Sequence, residues 1–399
     1  MKIIVIHNEY GTFSGEEAVV QRQVELVANM GHHVCRFSRS SAEIPHMRFG
    51  RVRAFCSGIY SFSSKEVMRE LLREHKPDIV HIHNLFPLIS PSIPGECTRL
   101  GVPVVMTVHN YRLVCPNGLH MPKNSVKICE RCCGGREYWC ILKNCEVSLP
   151  KSLGYAIRNY VARKARLYLG NVSIYACLTH FQKRRLIAEG YPEDRMAVVP
   201  NMAQRIDLPG EPSLGEYAGF VGRLSPEKGV AVLLQAAKSL SNVRFAVAGD
   251  YSAMRDMVSK ATANIALQGH IPSESISSFY QAARLIVLPS TCFEGFPMTI
   301  LEAMVHARPV VAPRIGGIPE IVDDGITGLL FEPGNAKDLA QKIQYLWDCP
   351  DLCRQMGQAG QEKALREYSP EKHYDRLMAV YKKAIELGPG GFSPGSQGR

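Results

Sequence analysis

The 399-residue chain has no uncharged apolar run approaching the ~20 residues that span a bilayer. Its opening, "MKIIVIHNEY", is short and strand-like, and no small-residue cleavage site follows it. A secretory leader is therefore not expected, and the expected compartment is the cytoplasm. No segment recurs at a fixed period, which argues against a solenoid. Between Glu146 and Glu189 there is no acidic residue at all. That gap belongs to a wider imbalance. Counting Lys+Arg against Asp+Glu, residues 1–200 carry 27 against 16 and residues 201–399 carry 20 against 21. The whole excess behind the net charge of +10 lies in the first half. Such asymmetry points to an anionic partner for that half (nucleic acid, membrane surface or acidic glycan) or to a solvated basic face.

What is present is a globular composition, 46% hydrophobic and 21% charged, at a length that exceeds one usual core. Apolar β-branched runs alternate with helix-like segments. The first half offers "KIIVI", "HHVCRF", "DIVHIH", "PVVMTV" and "SIYACL". The second offers "YAGFVG", "VRFAVAG", "IALQG", "RLIVLP", "PVVA" and "GLLF". Continuous apolar strands separated by helices read as parallel sheets covered on both faces. Helices are expected over 16–30, with Ser14 and Glu17 as a capping box and Gly31 closing it, and over 226–240, 298–307 and 337–347. The expected fold class is α/β, with two Rossmann-like domains facing a cleft. The expected boundaries are 1–200 and 201–370, a final helix over 371–387 packing back on the first domain, and a Gly/Pro/Ser-rich disordered tail over 388–399.

Ligands of open α/β sheets bind beyond the carboxyl ends of the strands, so the residues just after each strand carry the chemistry. In "FVGRLSPEKGV" a strand ends at Val221, Gly222 turns the backbone, and Ser225-Pro226 reads as a helix cap. Arg223 and Lys228 flank that start, as a phosphate site needs, although two surface cations near an ordinary cap would look the same. In "CFEGFPMTILEAM", Pro297 suits a first helical position. Glu294 then lies in the preceding loop and Glu302 about one and a half turns into the helix. Carboxylates that accept hydrogen bonds from hydroxyls suit a sugar or ribose. The plainer alternative makes Glu294 a cap of its own helix and Glu302 part of a solvated face.

These residues, with "GGIPEIVDDGITGLLFEPGN" and the order in which the motifs fall, resemble the nucleotide-sugar domain of the family 4 retaining glycosyltransferases of GT-B fold. The likeness is good over roughly 200–370 and looser before it. It implies a hexosyltransferase that uses a nucleoside-diphosphate sugar and a glycan or lipid-linked acceptor, of the kind that builds bacterial surface polysaccharide, and it leaves nucleic acid out. Arg223 and Lys228 would hold the donor diphosphate, Glu294 the transferred sugar and Glu302 the ribose. The backbone after Gly295 would face the donor. Pro297 stands where the family often has Gly and has no N–H, so Phe296 and Met298 must supply any amide contact. The loop "HNEYGTFSGEEAVV" is similar to the family's Gly-rich loop, with Gly15 near the phosphates, although Glu16 and Glu17 would repel an anion. His109, ending "TVHN", matches a histidine beside the reacting sugar. His81 and His83 read as polar filling at strand ends. The chain has no Asp-x-Asp, so the cations would replace a catalytic metal. Two rivals remain at this point: a nucleotide-sugar epimerase of the same fold, and a non-catalytic nucleotide-sugar-binding module.

Six of the 13 cysteines fall in 115–145. Cys115, Cys129, Cys132 and Cys145 are the best four for a structural zinc, the alternative being a loop of reduced thiols. Finally, Leu153, Ile157, Tyr160, Val161 and Tyr168 share a helical stripe, with Arg158, Arg163 and Arg166 off it. That pattern fits a peripheral helix on the inner face of an anionic membrane, or a helix packed on the domain with a basic outer face.

Overall fold

The computed structural model describes residues 1–11, 14–204, 214–258 and 261–390. The described chain divides into two compact units. The first comprises 1–118, 130–200 and the chain from 373 onward; the second comprises 119–129 and 201–372. Among the described residues no helix is long and apolar enough to cross a membrane.

The first unit is built on β1 (Lys2–Glu9), β2 (His33–Ser40), β3 (Ile79–Asn84), β4 (Val104–Val108), β5 (Ile174–Cys177) and β6 (Met196–Val198). They form one parallel sheet in the order β2-β1-β3-β4-β5-β6. Every residue of β3, β4 and β5 is buried, as strands covered on both faces require. Ser14 and Glu17 cap the helix Gly15–Asn29 reciprocally. Leu377, Val380, Tyr381 and Ala384 of the helix Pro370–Leu387 sit in the same core as Ile3, Val5, Val20 and Ile79. β6 is the strand that the sequence does not announce; at three residues it is too short to stand out.

The second unit contains β7 (Tyr217–Val221), β8 (Phe245–Ala248), β9 (Ile265–Gly269), β10 (Ala283–Val287), β11 (Val310–Pro313) and β12 (Gly328–Phe331). Its parallel order is β12-β11-β10-β7-β8-β9. Read from β9, this is the doubly wound order in which the chain starts at the middle, runs to one edge, then returns and runs to the other. The reversal falls between β7 and β10, so their following loops open onto one crevice.

The expected helix over 226–240 is interrupted. Pro226–Lys228 is a single 3-10 turn, Gly229 takes the left-handed conformation at φ 70°, and the α-helix proper is Val230–Lys238. A Cβ on Gly229 would lie 1.8 Å from the Pro289 carbonyl oxygen, so neither the conformation nor the space admits a side chain. Pro297 is the residue before the helix Met298–Val305 rather than its first residue. The expected disordered tail, from 391 on, lies outside the described residues.

Candidate active site

The two loops at the sheet reversal of the second unit carry the residues singled out above. Lys228, after β7, donates from Nζ to Glu294 Oε1 at 2.7 Å, and Ser290 Oγ donates to the same oxygen at 2.6 Å. Both follow β10 or β7 closely because the sheet order makes those strands neighbours. Burial opposes the charge on each partner. The opposite charge beside it prevails: the Glu294 carboxyl is held below its usual range and the Lys228 ammonium above it. Glu294 does not cap its own helix, which starts at Met298 without a side-chain cap. Gly295, Phe296 and Met298 line the turn between Glu294 and that helix. Phe296 is buried against Tyr368, with its carbonyl facing the Asn201 amide at 3.5 Å. Glu302 accepts from Tyr280 Oη at 2.7 Å.

Arg223 is the most exposed member, its side chain 76% accessible and 3.4 Å from Glu227. Ser225 Oγ is buried with no partner and does not cap the turn that follows it. It is a further polar group at this loop that sequence reasoning treated only as a cap. A second missed feature comes from the cysteine-rich stretch. Its residues 119–129 belong to the second unit. There Thr291 Oγ1 donates to Met121 Sδ at 3.7 Å, and the His120 ring meets Phe293 edge-on at 5.6 Å. No periodicity marks this contact, because it joins positions about 170 residues apart.

In the first unit Gly15 opens the helix after β1, and residues 12–13 of that loop lie outside the described residues. Glu16 and Glu17 do not face open solvent as free anions. Glu17 closes the capping box and accepts from the Tyr10 amide, and Glu16 accepts from Tyr10 Oη at 2.9 Å. Burial pushes the Glu16 carboxyl up, with His7 and Arg112 opposing.

His109 ends β4 within a chain of histidines. Gln23 Nε2 donates to His83 Nε2 at 3.3 Å and to His81 Nδ1 at 3.0 Å. His83 must then carry its proton on Nδ1 and donate to His109 Nε2, 2.9 Å away. His109 is left with its proton on Nδ1, as a hydrogen-bond donor. Burial lowers His109 to about 4 and His81 to about 3, so the chain is neutral at physiological pH. His81 and His83 are structural here, tied to Thr107, Tyr381 and each other's partners.

The cysteines pack differently from a metal set. Cys132, Cys140 and Cys145 form a small apolar cluster with Ala156, while Cys129 belongs to the second unit's stretch. Among the described residues no group of three or more His, Cys, Asp or Glu side chains is placed to hold a metal ion. Cys115 and Cys132 also lie close enough to Cys140 to act on its charge, beside its direct neighbour Cys145.

The basic helix also differs from expectation. The helix Leu149–Lys164 buries Arg158 at 4% exposure and pairs Arg163 with Glu137. Leu153 and Tyr160, from the stripe expected to face a neighbour or a membrane, are 41% and 50% exposed. The arginines therefore do not form one outer face. Gly154 explains the packing: a Cβ there would lie 2.7 Å from the Phe55 ring, so the helix Gly50–Ile59 can press against it.

Two doubly wound parallel sheets of six strands, with a charged constellation at the reversal of the second, define the GT-B class of α/β enzyme. Family models agree: "Glycosyl transferases group 1" matches residues 209–363 and "Glycosyltransferase Family 4" matches 13–203. The two glycosyltransferase models divide the chain between them, one matching its first half and the other its second. It is 25% identical to an uncharacterized glycosyltransferase of Methanocaldococcus jannaschii, over 96% of this chain and 98% of that one. It is 27% identical to the alpha-D-kanosaminyltransferase of Streptomyces kanamyceticus, over 84% of each. Among solved structures it is similar in fold to sucrose-phosphate synthase from Thermosynechococcus elongatus, with a TM-score of 0.71 at 17% identity, over 96% of this chain and 99% of that one. It is likewise similar to Anabaena HepE in complex with UDP and glucose, with a TM-score of 0.65 at 16% identity, over 96% and 99%.

Proposed function

We propose that the protein moves a sugar from a nucleoside-diphosphate donor to a hydroxyl of a glycan or lipid-linked glycan, with retention of anomeric configuration, in the assembly of a cell-surface polysaccharide. The carrying observation is the Lys228–Glu294 pair at the sheet reversal of the second unit. The UDP seen with HepE supports a nucleotide donor.

In this reading Lys228 and Arg223 receive the donor diphosphate. Breaking the anomeric bond places negative charge on the leaving phosphate, and fixed cations stabilise it without a metal. Diphosphate competes with Glu294 for Lys228, so donor binding frees the Glu294 carboxylate for the sugar hydroxyls. Glu302 exchanges its Tyr280 hydrogen bond, or shares it, with the ribose. His109 donates from Nδ1 to the sugar or acceptor; as a neutral donor on a fixed chain it orients and does not act as the base. Among the described residues no carboxylate stands out as a covalent nucleophile, which fits attack by the acceptor hydroxyl on the face the leaving group departs from.

Incubation with a panel of nucleotide sugars, read by nuclear magnetic resonance, tests this. Slow release of a sugar of unchanged anomeric configuration, lost in Lys228→Ala, is expected. Conversion of the donor to its epimer without an acceptor favours an epimerase, and binding without turnover under any acceptor favours a non-catalytic module; either sinks the proposal.

The first unit also presents an apolar and basic surface. Phe49 and Val52 are 71% and 61% exposed beside the exposed Arg48, Arg51 and Arg53. That charge pattern supports docking on an anionic membrane, where lipid-linked acceptors reside.

A further inference from the structure

The first unit encloses an open cavity of about 620 Å³, its mouth included, lined by His109, Arg112, Arg158, Arg163, Tyr168 and neighbouring residues. No carboxylate lines it among the described residues. Arg163 already pairs with Glu137. Arg112 is balanced in part by Glu16 and Tyr10 from outside the cavity lining, whereas Arg158 has no carboxylate acting on it. Arg158 is 4% exposed and lies 3.7 Å above the Phe86 ring; Arg112 lies 5.8 Å from the same ring centre.

Their remaining contacts leave donors over. Arg158 donates from Nε to Asn159 Oδ1 and from Nη2 to the Pro116 carbonyl, but its Nη1 is buried without a partner. Arg112 has Nε and Nη1 buried without partners. Arg158 is lowered to about 10 by burial and by the charge of Arg112, which still leaves it charged at neutral pH; burial opposes the charge on Arg112 as well, but Tyr10 and Glu16 outweigh it and raise that group. The Arg158 charge is buried without a carboxylate beside it, which is costly, and guanidiniums with unused N–H groups, as in both arginines, are ready partners for an oxyanion. Stacking on Phe86 holds the planes in place but satisfies no N–H.

We infer that this cavity binds a phosphate carried by the acceptor, between the guanidiniums of Arg112 and Arg158 and next to His109. Two cations match a phosphate better than a single carboxylate. The inference rests on the proposed glycosyl transfer and places the acceptor at the first unit; it adds that the acceptor is a phosphorylated or phosphate-linked sugar.

The test uses the full chain carrying Arg223→Ala and Lys228→Ala, so that the donor site cannot take the probe. Calorimetric titration with inorganic phosphate should show one saturable site. Adding Arg112→Gln should weaken it about tenfold or more, and Arg158→Met should do the same. Should Arg158→Met fail to fold, the half-buried Arg112 decides the matter. Phosphate affinity unchanged in a cooperatively melting Arg112→Gln protein overturns the site. Tighter binding of glucuronate than of phosphate overturns the phosphate assignment. Nucleoside diphosphate binding to the unmodified protein is scored separately. Its absence beside intact phosphate binding refutes the donor reading and leaves this pocket standing.

Discussion

At the scale of the residue, the proposed function has Glu294 and Glu302 divide one ligand between them, Glu294 at the reacting sugar and Glu302 at the ribose, and the ion pair at Lys228 sharpens how they should differ. Glu302 meets a part of the donor that does not react. Glu302→Gln is expected to raise the donor KM by an amount typical of a charged hydrogen bond, ~1.5–3 kcal/mol, with kcat little changed. Free nucleoside diphosphate should weaken in parallel. Glu294 lies where charge develops, so Glu294→Gln should lower kcat strongly. It also releases Lys228 from its 2.7 Å partner, so free nucleoside diphosphate should bind as well as before or better. Titration of both variants with the nucleotide checks this; equal weakening in the two would show that Glu294 merely builds the loop. The residue types and spacing were legible in the sequence. The contact was not, because Lys228 and Glu294 are 66 positions apart and meet only through the order of β7 and β10. Arg158 misled for a related reason. A helical projection separates it from the apolar stripe but cannot show that Phe86 and Tyr155 cover it.

At the scale of the element, the turn that carries Lys228 depends on Gly229. Gly229→Ala meets both a left-handed backbone and the Pro289 carbonyl. It should destabilise the protein by about 2–4 kcal/mol, read as a lower denaturant midpoint, and should weaken nucleotide binding beyond what lost stability explains. Retained nucleotide affinity in the folded fraction would detach Gly229 from the site. The second element is the helix Gly50–Ile59 with its preceding Phe49. Phe49→Ser with Val52→Ser is expected to cut binding to vesicles containing anionic lipid severalfold, and added salt should do likewise. Vesicle binding equal to that of the unmodified protein would leave this face as ordinary surface. Most elements were readable as apolar runs between turn residues. The broken helix at 226–240 was not, since "SPEKGV" reads equally as a cap and as a turn followed by a second start.

At the scale of the molecule, the fold class follows from alternation of buried strands and helices, and the sequence carries that signal across nearly all of both sheets. The polar interior of the first unit is what periodicity conceals. His7, His81 and His83 lie buried and His109 partly so, and burial lowers His7 and His109 to about 4, His81 to about 3 and His83 well below its usual value. The unfolded chain titrates these groups near 6.5. As pH falls from 6.5, the unfolded state therefore takes up protons first. Stability is complete above about 6.5 and is lost progressively toward pH 4, with a slope of up to four protons. Urea denaturation across pH 4–7 should show that slope, and His83→Asn should flatten it. A stability curve level across this window would mean that the histidines are charged in the folded protein.

The helix that closes the first core, residues 373–387, is made only after all of 201–372. A ribosome thus delivers all six strands of the first sheet, then nearly the whole second unit, before Leu377, Val380 and Tyr381 can cover Ile3, Val5 and Ile79. The first unit must wait through roughly 170 residues of synthesis with that apolar surface bare. A chain stopped near residue 370 would present a finished second unit on an unfinished first one. Quality control would meet such a product as an exposed hydrophobic sheet, so loss of the last helix removes the enzyme by degradation rather than by damage to its site.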